Sequence, residues 1–211
     1  MSANLMSLAR SGGKFLKLFG DRKMMKQLPY DAEVEYLGTN RDGSYIDTGL
    51  SFPATGRIDF KFFWDGDRSV GPQIRCLFFG ADDGNAPRVY QQWYSGGRIN
   101  FVSRNGLSVS LVSTTWNNVI IESSKSYTKG AGTLSFFGKC SSSTGEMPII
   151  KGARGSDRLY YFALFGDDVN VVMDIIPVRV GHVGYLYDRV SGQLFGNQGS
   201  GAFIIGPDKT I

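Results

Sequence analysis

The sequence predicts an all-β fold of two antiparallel sheets, and three observations predict it. In the run RIDFKFFW, Ile58, Phe60, Phe62 and Trp64 stand opposite Arg57, Asp59, Lys61 and Phe63, the period-two alternation of a half-buried strand. Runs of this kind recur at intervals of about 10–20 residues with turn residues between them, as in a sandwich or barrel. The 28 glycines among 211 residues are nearly twice the average usage of about 7%, which suits many tight turns between short strands.

Taken in order, residues 1–28 are the one segment with helical character. Leu5, Leu8, Phe15, Leu16 and Phe19 fall near helical spacing among lysines and arginines, a pattern of amphipathic helices. Gly12 and Gly13 interrupt it, each at about 1 kcal/mol. From Pro29 onward the chain turns to short strands. Glu33 and Glu35 flank Val34 as the solvent face of a first strand, and RIDFKFFW follows. Leu107, Val109 and Leu111 then alternate with serines, and WNNVIIE, TLSFFG and RLYYFALF continue the pattern. The Ser/Gly-rich stretch from Cys140 to Asp157 reads as the longest loop, with Ile149 and Ile150 as a short strand inside it. Near the C-terminus Val169, Val171, Met173 and Ile175 alternate with other residues, so one apolar, buried face is expected. Pro177 removes a ladder donor, which suits a strand end or a sheet edge. The segments DRVSGQ and GNQGSG are turns by composition. No repeat of fixed period is visible in the chain.

The segment DIIPVRVGHVGYLYDRVSGQLFGNQGSG, from Asp174 to Gly201, resembles the closing signature of a concanavalin A-like (LamG-like) jelly-roll domain, in the version common in gut bacteria and their phages. VEYLGTNRDGSYIDTGLSF, from Val34 to Phe52, resembles the opening signature. CLFFGADD and INFVSRNG sit where that family carries inner strands. The resemblance spans roughly Tyr30 to Pro207. It implies a two-sheet antiparallel jelly roll over residues 29–211, preceded by a short arm over residues 1–28. It implies less about function, because this sandwich serves lectins, glycosidases, adhesins and virion parts alike.

Charge is distributed unevenly. The net charge is +4, yet residues 1–28 hold Arg10, Lys14, Lys17, Arg22, Lys23 and Lys26 against Asp21 alone. The remaining chain carries 17 basic and 18 acidic residues, so it lacks the basic excess of a nucleic-acid-binding face, and nucleic acid is rejected as a partner of the globular part. A hydrophobic content of 42% is ample for a core. Cys76 and Cys140 permit one disulfide at most and no four-cysteine zinc site. Both stand beside apolar residues, a setting that suits free buried thiols. No run approaches the ~20 apolar residues of a membrane span. Lys14 and Lys17 break the N-terminal apolar runs, so no signal-peptide core is expected. A protein of this kind found outside a cell would leave by lysis or as part of a particle.

Sites for chemistry are few. Glycosidases hold two carboxyl groups about 5–9.5 Å apart. The four glutamates, Glu33, Glu35, Glu122 and Glu146, do not form the Glu-x-Asp-x-Glu cadence of sandwich glucanases. His182, the one histidine, has no Gly-x-Ser-x-Gly elbow to serve, and a surface or turn histidine is expected. The reading is therefore non-enzymatic. Calcium is the one cofactor left open, since it takes six to eight oxygens. The candidate loops carry Asp65 and Asp67, then Asp82, Asp83 and Asn85, then Asp167, Asp168 and Asn170. Hairpin turns favour the same residues, and Asp82, Asp83 and Asn85 are the best single metal set. Tyr90, Gln91, Gln92, Trp93, Tyr94 and Arg98 mix amphipathic aromatics with amides. This cluster suits a glycan platform, and it equally suits a buried aromatic face or a subunit interface.

The family resemblance and the apolar-basic arm together lead to the expectation of a non-enzymatic virion component. It would be a fibre, decoration or tail-associated adhesion protein displaying a lectin-like domain. Lys14, Phe15, Leu16 and Phe19 would anchor it to other virion proteins, a host-surface glycan is the candidate ligand, and by analogy the assembly is a homotrimer. The alternative is a carbohydrate-binding module, extracellular or on a gut bacterial surface.

Overall fold

The computed structural model describes residues 28–39, 43–53, 55–64, 74–80, 88–94, 98–104, 112–113, 119–128, 133–137, 139–141, 149–150, 158–166 and 169–210. All regular structure among them is extended. In chain order the strands are β1 (Ala32–Glu33), β2 (Leu37–Gly38), β3 (Ile46–Ser51), β4 (Thr55–Trp64), β5 (Ile74–Gly80), β6 (Arg88–Tyr94) and β7 (Arg98–Arg104). They continue with β8 (Val112–Ser113), β9 (Val119–Thr128), β10 (Thr133–Phe136), β11 (Lys139–Ser141), β12 (Ile149–Ile150) and β13 (Arg158–Phe165). The last four are β14 (Val171–Val180), β15 (Val183–Asp188), β16 (Gln193–Phe195) and β17 (Ile204–Ile205). The all-β expectation holds, including the short Ile149–Ile150 strand. The apolar-basic arm and its residues Lys14, Phe15, Leu16 and Phe19 lie outside the described residues.

Two antiparallel sheets result. One runs β16-β15-β14-β13, with β13 continuing onto β4 and β2, β4 onto β9, β2 onto β17, and β1 beside β14. The other runs β12-β11-β5-β6-β7-β8, with β10 bridging β5 and β3. Their facing side chains form one core. Ile58, Phe60 and Phe62 of β4, with Leu159, Phe162 and Leu164 of β13, cluster with Ile46 of β3 and Leu134 and Phe136 of β10. The Phe136 and Phe162 rings meet edge-on, 5.1 Å apart at 87°. Each such buried side chain contributes about 1.5–3 kcal/mol, so this seam is what joins the sheets.

The C-terminal strands correct two expectations. Met173 and Ile175 are buried, but Val169 and Val171 are 82% and 42% exposed. The cause is a register shift: Leu164 pairs with Met173, while Phe165 pairs with Val171. The intervening Val172 is thus an extra residue, and a bulge reverses which face the following positions take. Val169 stands beyond the strand, where the Gly166 amide donates to the Asn170 carbonyl at 3.0 Å. Pro177 lies inside β14 rather than at its end, paired with Leu186. Its carbonyl accepts from the Val34 amide at 3.0 Å. The missing donor points the same way, to the flank where β14 changes partner from β13 to β1, so no ladder of β13 is broken.

Two turns shape the β14–β16 segment, and the second is the DRVSGQ turn expected from composition. Gly181 and His182 join β14 to β15, with Val180 opposite Val183 and Gly181 at φ 57°. A positive φ at the first of two central residues marks the glycine-requiring type II′ hairpin. His182 is exposed at this turn. The Asp188 side chain, itself buried, accepts from the backbone amides of Asp174 (2.8 Å), Val190 (3.1 Å) and Ser191 (3.1 Å). One carboxylate therefore closes the turn to β16 and fastens it to β14. In the second sheet Cys76 pairs with Lys139 and Cys140 with Arg75.

Candidate functional site: a tyrosine groove on the outer face of the first sheet

In β13 the spacing of buried residues is irregular. Leu159 and Phe162 are both buried although three positions apart, which an unbroken strand cannot do. The register explains it: Leu159 pairs with Phe62, and Tyr161 pairs with Lys61. Tyr160 is the bulged residue, and both Tyr160 and Tyr161 are left half-buried outside the core. A bulge has placed two consecutive tyrosines beside one groove.

The groove has a volume of about 270 Å³ and is lined by Glu35, Lys61, Tyr160, Tyr161 and Lys209. Both chain ends of the domain supply part of it. The Glu35 amide donates to the Pro207 carbonyl at 2.8 Å, and the Lys209 amide to the Glu33 carbonyl at 2.9 Å. These bonds set Glu35 and Lys209 against the β4–β13 face.

The aromatic side chains are held in place. The Tyr36 ring lies 5.7 Å from Tyr160 at 59°. The Arg158 guanidinium sits between rings, 4.5 Å from the Tyr36 centroid and 4.7 Å from that of Phe63. The Lys61 ammonium is 5.6 Å from the Tyr160 centroid, within cation–π range, and 3.4 Å from Glu122. The Tyr161 hydroxyl donates to Glu122 at 2.9 Å. Partial burial, then this bond to a carboxylate, pushes the Tyr161 phenol up to about 12. The same hydrogen bond, assisted by Lys61, holds the Glu122 carboxyl below its usual value. Farther along the face Arg57 contacts Asp59 at 3.1 Å and covers the Phe165 ring at 3.9 Å, while Ser124 donates to Asp59 at 2.6 Å.

Chemically the groove offers aromatic surface, ammonium donors and a carboxylate acceptor. Lys209 stands 3.8 Å from Glu33, which also accepts weakly from the Tyr30 hydroxyl at 3.4 Å. Glu35 is exposed and makes no ion pair among the described residues. Glu33 and Glu35 flank buried Val34, as read from the sequence.

The sites singled out in the sequence fall elsewhere. Tyr90, Gln92, Trp93 and Tyr94 lie in β6 and Arg98 in β7, in the second sheet, with Tyr94 opposite Arg98 and Gln92 opposite Asn100. Trp93 holds a ladder position of opposite parity to Tyr90, Gln92 and Tyr94. The calcium candidates Asp82, Asp83 and Asn85 lie outside the described residues, as do Asp65, Asp67, Asp167 and Asp168. Among the described residues, no three His, Cys, Asp or Glu side chains come together as a metal set, and no helix is long and apolar enough to cross a membrane. Tyr160 and Tyr161 were not singled out in the sequence, although the three-residue step from Leu159 to Phe162 is the mark of the bulge that presents them.

Comparison with protein-family models, with curated proteins and with solved structures gives no match to this chain.

Proposed function

We propose that this chain is a non-enzymatic adhesion or decoration component of a phage-like virion, a jelly-roll domain that displays a glycan-binding face and is anchored through residues 1–28. The observation that carries the reading is the groove, where fixed tyrosines stand beside hydrogen-bonding charges on an outer sheet face. Antiparallel pairing and a core shared by two sheets support the jelly-roll assignment. The point where the arm meets the domain supports anchoring. The Asp31 amide donates to the Arg179 carbonyl at 2.9 Å, and the Asp31 carboxylate accepts from the Gly181 amide at 2.6 Å. The Tyr30 ring rests on Tyr187 at 5.0 Å. A load on the arm would therefore pass directly into the β14–β15 hairpin.

The test compares the mass in solution of the full chain with that of a chain starting at Pro29, by light scattering. A homo-oligomer, a trimer by analogy, that dissociates when the arm is removed is the expected result. The same groove fits a second reading, a carbohydrate-binding module of a gut bacterial surface or secreted protein, and a monomer in both forms would favour it.

A further inference from the structure

We propose that the Tyr160–Tyr161 groove is the glycan site, in place of the β6–β7 aromatic cluster, and that its ligand is a neutral pyranose oligosaccharide. The proposal rests on the glycan-binding part of the reading above and names its location and ligand class.

The charge arrangement selects the ligand. Lys61 is matched by Glu122 at 3.4 Å and Lys209 by Glu33 at 3.8 Å. Glu35 then adds a carboxylate without a matching cation among the described residues. A uronic or sialic acid would have to displace Glu122 from Lys61 or Glu33 from Lys209 and would meet the Glu35 carboxylate, which disfavours it. A neutral sugar presents hydroxyls that both donate and accept. They can donate to Glu35 and accept from Lys61 and Lys209, since each ammonium carries three donors. Tyr160 supplies the aromatic surface against which the apolar C–H face of a pyranose packs.

Shape and rigidity agree with this. About 270 Å³ is just under the ~300–1,000 Å³ of drug-sized pockets, as fits one or two sugar units lying across a groove. Tyr160 is already packed on Tyr36, and Tyr161 is already bonded to Glu122, so little side-chain freedom remains to be lost on binding.

The experiment is titration calorimetry of the full-length chain with maltoheptaose, laminarihexaose and chitohexaose as neutral probes and oligogalacturonate as the acidic one. The titrations are repeated with Tyr160→Ala, Glu35→Gln and Trp93→Ala. Saturable binding of a neutral probe is expected, weakened at least tenfold by Tyr160→Ala and severalfold by Glu35→Gln, and unchanged by Trp93→Ala. Glu35 is exposed and its replacement is isosteric, so that variant tests the site even if Tyr160→Ala is unstable. Binding lost with Trp93→Ala but kept in both groove variants would overturn the location while leaving glycan binding intact. A preference for oligogalacturonate would overturn the ligand class. No binding to any probe would overturn both this proposal and the glycan-binding part of the function.

Discussion

At the residue scale, Tyr161 shows how a strand position acquires a chemical property. Its hydroxyl bonds the Glu122 carboxylate while the ring is partly withdrawn from water, so ionisation is opposed first by desolvation and then by a neighbouring negative charge. The phenol is raised to about 12, against about 10 for a free tyrosine. The folded state therefore binds the proton more tightly than the unfolded chain. The stability that this contributes is complete below pH about 10 and is lost as pH rises through about 12. Ultraviolet difference titration is expected to show a late-ionising tyrosine that disappears in Tyr161→Phe and moves to lower pH in Glu122→Gln. An unchanged late step in Tyr161→Phe would show that another tyrosine carries it. The tyrosine pair is plain in the sequence. Its outward placement depends on the bulge, whose sign is the Leu159-to-Phe162 spacing rather than any property of the tyrosines.

At the element scale, the hairpin of β15 and β16 depends on a single side chain. Asp188 satisfies three backbone amides from two elements, and it is wholly buried, so its removal leaves three donors without their acceptor. Asp188→Ala is expected to destabilise the fold by about 3 kcal/mol, and Asp188→Asn by less, because the amide oxygen keeps part of the set. Urea denaturation of both variants measures this, and equal midpoints for Asp188→Ala and the parent would refute the account. The turn was legible because DRVSGQ has turn composition. The strand before it was legible only in part. Met173 and Ile175 follow the alternation, but Val171 does not, because the bulge at Val172 arises from pairing with β13. A period-two pattern read along one strand carries no information about its partner's register.

At the scale of the whole molecule, the two ends of the domain are knitted together. The Asn197 side-chain carbonyl accepts from the amides of Tyr45 at 3.1 Å and Gly199 at 2.8 Å, and its amide donates to the Gly201 carbonyl. Gln198 adds a backbone bond to the Tyr45 carbonyl at 2.9 Å and a side-chain bond to the Asp47 carbonyl at 2.8 Å. The Arg179 guanidinium grips the Asp208 carboxylate through two bonds of 2.7 and 2.6 Å. Gly199 lies so close to the Gly43 carbonyl that a Cβ would overlap backbone, which cannot rotate aside. Gly199→Ala is accordingly expected to cost about 1–3 kcal/mol as an overpacking change, read as a lower denaturation midpoint. A midpoint equal to that of the parent would mean that the two ends are not tightly held. By itself the sequence determined the all-β class, most strand positions and the turns, because period-two hydrophobicity and glycine-rich turns are local properties of the chain. Only the tertiary structure decided which residues face a common groove. Glu35, Lys61, Tyr160, Tyr161 and Lys209 are scattered over the chain, and the bulge at Tyr160 together with the pairing of the two ends of the domain brings the groove into being, neither of which a local pattern encodes.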